Sequence, residues 1–131
     1  MVFVVSDKGD LTAREFIDIS RSVGWGLKRR YDLKKVKKAL GQTTYVVTVR
    51  DNRELVGCGR AFSDDLLFTT IPDVFVKPEY QRKGIGTRIM QRIIKRFGHT
   101  TIYFGSQPGN ELFFEKCGFV KGMQSYGMKR K

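Results

Sequence analysis

Residues 81 to 87 read Gln81-Arg82-Lys83-Gly84-Ile85-Gly86-Thr87, a composition and spacing suited to holding an anion. Ile85, Ile89, Ile93 and Phe97 then recur at helical spacing and predict a helix over 85–97. The first turn of a helix carries unpaired N–H groups and a partial positive charge, and both favour phosphate. Gly84 and Gly86 let the backbone approach phosphate oxygens with no Cβ in between, while Arg82 and Lys83 add charge and Thr87 a hydroxyl. A dinucleotide fingerprint is excluded, because Ile89 stands where its third glycine belongs, and a P-loop is excluded by the missing Gly-Lys-Ser/Thr ending. A Gly-x-Gly turn alone indicates no more than an anion at a helix start.

The elements that must position this turn follow from the apolar pattern. Met1 to Val5 reads as a strand. Thr12 and Glu15 form a capping box that opens a helix with Phe16, Ile17, Ile19 and Val23 on one side, and Ser22 to Gly26 breaks it. A second helix runs from Asp32 to Gly41, with Leu33, Val36 and Leu40 inward and a basic outer face. Thr43 to Arg50 and Leu55 to Phe62 are strands joined by the Asp51-Asn52 turn, and Ser63-Asp64-Asp65 turns into a long strand from Leu66 to Val76. Pro72 cannot donate to a ladder, so a bulge or splay is expected there. After the 85–97 helix come a strand at Thr100 to Phe104, a short helix at Asn110 to Lys116 ended by Gly118, and one or two closing strands from Phe119. The order β-α-α-β-β-β-α-β-α-β gives an α/β fold, a single domain over 1–131 with helices on a mixed central sheet.

Composition bounds the function. The chain has 131 residues, 40% of them hydrophobic, and 25 Lys plus Arg against 13 Asp plus Glu leave a formal charge of +12. That excess either keeps the surface soluble or draws a polyanion. No helix-turn-helix, RRM aromatics, KH loop or zinc spacing accompanies it, which disfavours a nucleic-acid-binding module. Cys58 and Cys117 lie in apolar stretches without metal-like spacing and read as reduced buried thiols of a cytoplasmic protein. With His99 as the only histidine, a histidine triad or multi-histidine metal site has almost no material, and no metal is expected. No apolar run is long enough for a bilayer, and the start lacks a signal peptide's pattern.

The stretch Val76-Lys77-Pro78-Glu79-Tyr80 before the glycine turn, the turn itself, and Phe113-Phe114-Glu115-Lys116-Cys117-Gly118-Phe119 downstream together resemble the GNAT superfamily of N-acetyltransferases. Its hallmarks are Gln/Arg-x-x-Gly-x-Gly/Ala after Val-x-Pro-x-Tyr, and a later Leu-Tyr-Glu-Lys-x-Gly-Phe. The likeness covers about the whole chain. It implies acetyl-CoA in a V-shaped gap between the fourth and fifth strands, with pantetheine pairing to the backbone of Phe75 and Val76 and pyrophosphate on Gln81, Arg82, Lys83, Gly84, Ile85, Gly86 and Thr87. Asn110 and Phe113 are further cofactor contacts. A backbone N–H among Val74, Phe75 and Val76 would polarise the thioester carbonyl, and a primary amine attacks directly, with no acyl-enzyme.

Departures from the family pattern bear on the proton path. The tyrosine that often protonates the departing thiolate falls at Phe114, and the asparagine before it falls at Gln107. Tyr126 or Tyr103 could substitute as the acid, the thiol could leave unaided, or the chain could bind coenzyme A as a sensor without turnover. The acceptor amine needs a base. Asp73 is the first candidate, with fixation of the strand's bulge as its structural alternative, and Asp64 and Asp65 are turn residues that could reach the acceptor. Trp25, within Ser22-Val23-Gly24-Trp25-Gly26, either stacks on the acceptor or anchors two helices. That phrase resembles a bacterial branch related to arylalkylamine acetyltransferases, without settling the substrate. The basic run from Lys28 to Lys38 is either a solvated face or an attractor of an acidic acceptor or RNA. The expected partners are acetyl-CoA and a small or peptide-borne amine, with a homodimer left open and no membrane.

Overall fold

The computed structural model describes residues 2–26, 31–122 and 126–128. Five strands form one sheet in the order β1-β2-β3-β4-β5: β1 Phe3–Ser6, β2 Tyr45–Asp51, β3 Glu54–Ser63, β4 Phe68–Val76 and β5 Thr101–Tyr103. The first four pair antiparallel, whereas β5 runs parallel to β4. Helices α1 (Ala13–Ser22) and α2 (Leu33–Gly41) cover one face, α3 (Ile85–Phe97) the other, and α4 (Glu111–Lys116) follows β5.

Local chemistry explains the boundaries. Thr12 accepts from the Glu15 N–H while Glu15 accepts from the Thr12 N–H, the expected capping box. The Asp32 carboxylate accepts from the N–H groups of Lys34 and Lys35 and starts α2. Within α2, Val36 and Leu40 pack inward, but Leu33 is exposed, because it stands on the open first turn. The strand expected from Leu66 begins only at Phe68: the Asp64 Oδ1 captures the N–H groups of Leu66, Leu67 and Phe68 at 3.0, 2.7 and 3.0 Å, so that stretch curls rather than extends. The expected bulge is present, the β3–β4 register slipping between Arg60↔Asp73 and Phe62↔Thr70 around Pro72. No strand forms in residues 119–122 or 126–128, so the closing strand is absent among the described residues. The front of the basic run, Lys28 to Arg30, lies outside them.

The α3 face of the core holds Ile85, Ile89, Met90, Ile93 and Phe97, each at most 1% exposed, against Val47, Val49 and Val56. A Cβ on Gly57 or Gly59 would lie 2.7 Å from Ile85 Cγ2 or 2.5 Å from Ile89 Cγ2, so these two glycines let α3 sit low on β3. Burial of a side chain the size of Phe97 contributes on the order of 2 kcal/mol. This packing sets the start of α3 beside the end of β4.

Candidate active site

β4 and β5 part company early. Their parallel pairing covers Phe68↔Thr101, Thr69↔Ile102 and Thr70↔Tyr103 and then stops, leaving Ile71 to Val76 without a strand partner on that side among the described residues. The junction is pinned by hydroxyls: Thr69 Oγ1 lies 2.7 Å from Thr100 Oγ1 and donates to Ser63 Oγ at 2.8 Å. The backbone beyond it alternates. The Lys77 N–H donates to the Val56 carbonyl at 2.9 Å, so in this antiparallel pair Phe75 and Asp73 turn their backbone groups to β3, and Val74 and Val76 turn theirs to the gap. Gln81 Nε2 donates to the Val76 carbonyl at 3.1 Å, on that same side. Pro72 has no N–H to offer. The resemblance assigned backbone pairing to Phe75 and Val76; the register directs Val74 and Val76 into the gap and sets the Phe75 ring against Phe16, 5.9 Å away, on the opposite face.

The glycine turn completes the gap. Tyr80 donates to Asp51 Oδ2 at 2.8 Å, a bond that pushes its own pKa up to about 12 and ties the turn to the β2–β3 hairpin. Gly84 caps α3 in the left-handed region at φ +79° with no side-chain cap, and the first intrahelical bond is Arg88 N–H to Gly84 C=O, so the N–H groups of Gly84 to Thr87 have no helical acceptor. Arg82 is also left-handed at φ 63°, and Arg82, Lys83 and Gly84 are exposed. Gly86 serves differently: a Cβ there would meet Phe113 Cζ at 3.1 Å, so its bareness lets α4 close on α3. Asn110 is the exposed N-cap of α4, and its side chain makes no capping bond. These uncapped donors, the adjacent cations and the unpaired edge of β4 fit a pyrophosphate with an extended amide-bearing arm.

Other expected residues are placed elsewhere. Asp73 is forked by Arg60, with Nε 3.1 Å from both carboxylate oxygens and Nη2 2.7 Å from Oδ2, their side chains 10% and 14% exposed. Arg60 also lies over Phe16 and Phe62 and donates to Thr43 Oγ1 at 3.3 Å. Arg60 so occupies three of the four lone-pair positions of the Asp73 carboxylate, and the pair spans the strands at the bulge. Asp64 caps its hairpin, and Asp65 pairs with Arg96 at 2.8 Å and His99 at 3.1 Å. Phe114 packs on Phe104 and Phe113 at 4.6 and 5.1 Å, Gln107 is exposed, and Tyr103 stacks on Phe68 at 5.3 Å. Tyr126 is exposed in the tail, and Trp25 is half exposed just past α1. Cys58 is buried, which pushes its thiol far above the usual range, while Cys117 is only half buried, contrary to expectation. Arg60 escaped the sequence reading; its only signal was a lone charge inside an apolar strand.

No group of three or more potential metal-binding side chains occurs among the described residues, and none of their helices is long and apolar enough to cross a membrane.

Comparison with known proteins gives this geometry its context. The sequence model of the acetyltransferase (GNAT) domain matches residues 41–121. The uncharacterized N-acetyltransferase ycf52 of Porphyra purpurea is 33% identical over 89% of this chain and 70% of its own length, and that of Pyropia yezoensis is 33% identical over 92% and 71%. A GNAT-family acetyltransferase of Streptococcus pneumoniae superposes with a TM-score of 0.79 at 20% identity, covering 98% of this chain and all of the other; at that identity the likeness speaks for the fold. With the family's domain matched over most of the chain and N-acetyltransferase relatives 33% identical over about nine-tenths of it, this chain belongs to the GNAT family and is an N-acetyltransferase.

Proposed function

We propose that the chain transfers the acetyl group of acetyl-CoA to a primary amine by direct attack within a ternary complex. The observation that carries this reading is the early parting of β4 from β5 opposite the uncapped start of α3. Acetyl-CoA supplies the activated acetyl thioester. The N–H groups of Gly84 to Thr87 hold its pyrophosphate, with Gln81, Arg82 and Lys83 beside them and Ile85 anchoring the turn in the core. Val74 offers its N–H and C=O and Val76 its N–H to the pantetheine arm in the manner of an added strand, and Asn110 and Phe113 wall the far side. A gap-facing N–H of this pair polarises the thioester carbonyl, in surroundings where a fixed dipole is worth more than in water. Asp73 acts through Arg60 to hold the bulge that sets those N–H directions, and Trp25 borders the acceptor.

No cysteine takes part. A buried thiol such as Cys58, held protonated by desolvation, is no nucleophile. Phe114 supports thiolate departure without a tyrosine donor at that position.

Thermal unfolding with and without acetyl-CoA, followed by thiol release across a panel of polyamines, arylalkylamines, aminoglycosides and peptide amines, tests the reading. Stabilisation by acetyl-CoA and turnover with at least one amine are expected. An unchanged melting temperature at acetyl-CoA concentrations well above micromolar sinks it; stabilisation without turnover assigns a sensor instead.

A further inference from the structure

Leu66, Leu67 and Phe68 form an exposed apolar run at the tip of the β3–β4 hairpin, with Leu66 77% and Leu67 75% exposed. Tyr103, 47% exposed and stacked on Phe68 (43%), and Phe62, 36% exposed and paired across the strands with Thr70, extend this surface to the point where β4 and β5 part. Single exposed hydrophobes are ordinary, but a contiguous group of this kind marks a contact surface. The tip is also held in shape. Besides the three N–H groups captured by Asp64, the Leu67 carbonyl accepts from Thr101 at 2.9 Å, and Arg96 forks Asp65 at 2.8 and 3.2 Å. A surface held rigid before binding loses less entropy on contact.

We infer that this hairpin tip and aromatic face dock a polypeptide that carries the acceptor amine, an acidic chain with apolar anchor side chains. The inference rests on the transfer reading above for its link to chemistry. From Leu67 to Val74 the strand covers roughly 20 Å, so a single ligand seated on the tip and reacting in the gap is a chain of about six extended residues. Charge decides the partner's sign. The molecule carries +12, and α2, whose stretch Leu33–Gly41 holds Lys34, Lys35, Lys37 and Lys38 and no acid, ends three residues before Thr44, whose Oγ1 accepts at 3.1 Å from the N–H of Ser63, the last residue of β3 before the tip. That same charge opposes a second copy of this chain as the occupant.

The test uses two fluorescein-labelled synthetic peptides of about fifteen residues, alike in their N-terminal amine and their leucines and differing in carrying acidic or basic residues between them. Anisotropy without acetyl-CoA reads docking separately from transfer, so failure of the transfer reading leaves this result interpretable. The acidic peptide is expected to bind at least about tenfold tighter than the basic one and to lose about tenfold in Leu66→Ser/Leu67→Ser. Because both leucines are exposed, that variant keeps the wild-type melting temperature and its stabilisation by acetyl-CoA. Turnover of the acidic peptide then shows a raised KM at unchanged kcat. Equal binding of the two peptides, or wild-type affinity in the variant, overturns the inference. So does a dimer, or adhesion to phosphatidylserine vesicles, that is lost in the same variant, since either gives the face another occupant.

Discussion

Arg60 and Asp73 lock together across β3 and β4 at the point where β4 bulges, and the two residues beyond, Val74 and Val76, owe their alternate backbone directions to that register. A base and a positioning residue respond differently to loss of charge. Asp73→Asn leaves a guanidinium largely buried without its counter-ion, which costs about 3 kcal/mol. The expected result is a large fall in melting temperature, most of it recovered in Arg60→Met/Asp73→Leu. If Asp73→Asn instead folds normally while kcat falls at least about a hundredfold, Asp73 is the base.

Gly84 and Gly86 are required for separate reasons and their variants separate accordingly. Gly84→Ala puts a side chain in the left-handed region and costs about 1 kcal/mol, but a Cβ there meets no protein atom within 4 Å, so the variant folds and loses only part of its stabilisation by acetyl-CoA, through the Cβ set beside the phosphate donors. Gly86→Asp pushes a carboxylate into Phe113 beside the phosphate donors, and stabilisation by acetyl-CoA disappears. Thermal shifts of the two variants with and without acetyl-CoA check both; a normal shift in Gly86→Asp contradicts the placement of the pyrophosphate.

Phe114→Tyr adds only a hydroxyl to a half-buried ring packed against Phe104 and Phe113. If the departing thiolate lacks a positioned acid, the variant's kcat rises severalfold and its pH–rate profile gains an alkaline limb as the new phenol ionises near its ordinary value of about 10. An unchanged kcat and profile would show that residue 114 does not face the leaving sulfur.

Glu15 couples stability to acid. Arg50 reaches its two oxygens at 2.6 and 3.0 Å, and this hydrogen bonding, against the opposing effect of burial, lowers its pKa from the ordinary 4.5. A carboxylate whose folded pKa is depressed contributes stability that is fully present above its unfolded value and lost as pH falls through the lower folded one. Unfolding temperatures measured between pH 7 and 3 should therefore fall below about pH 4.5 in the wild type, and the fall should be shallower in Glu15→Gln. Parallel curves would place the acid sensitivity elsewhere.

Much of this protein is written locally. The helix Ile85 to Phe97, the capping box of Thr12 and Glu15, and the turn around Gly84 depend on neighbours three or four residues away, and those relations are visible in the chain itself. The bulge at Pro72 is likewise local, since a residue without an N–H cannot complete a ladder. The pairing of Arg60 with Asp73, the contact of Gly86 with Phe113 and the curl that exposes Leu66 and Leu67 were decided by tertiary structure. Each joins groups whose meeting depends on strand register, helix approach or a competing side-chain acceptor. The direction of Val74 and Val76 belongs with them: period-2 alternation says that neighbours point oppositely, but only the bond from Lys77 to Val56 says which of them opens onto the gap.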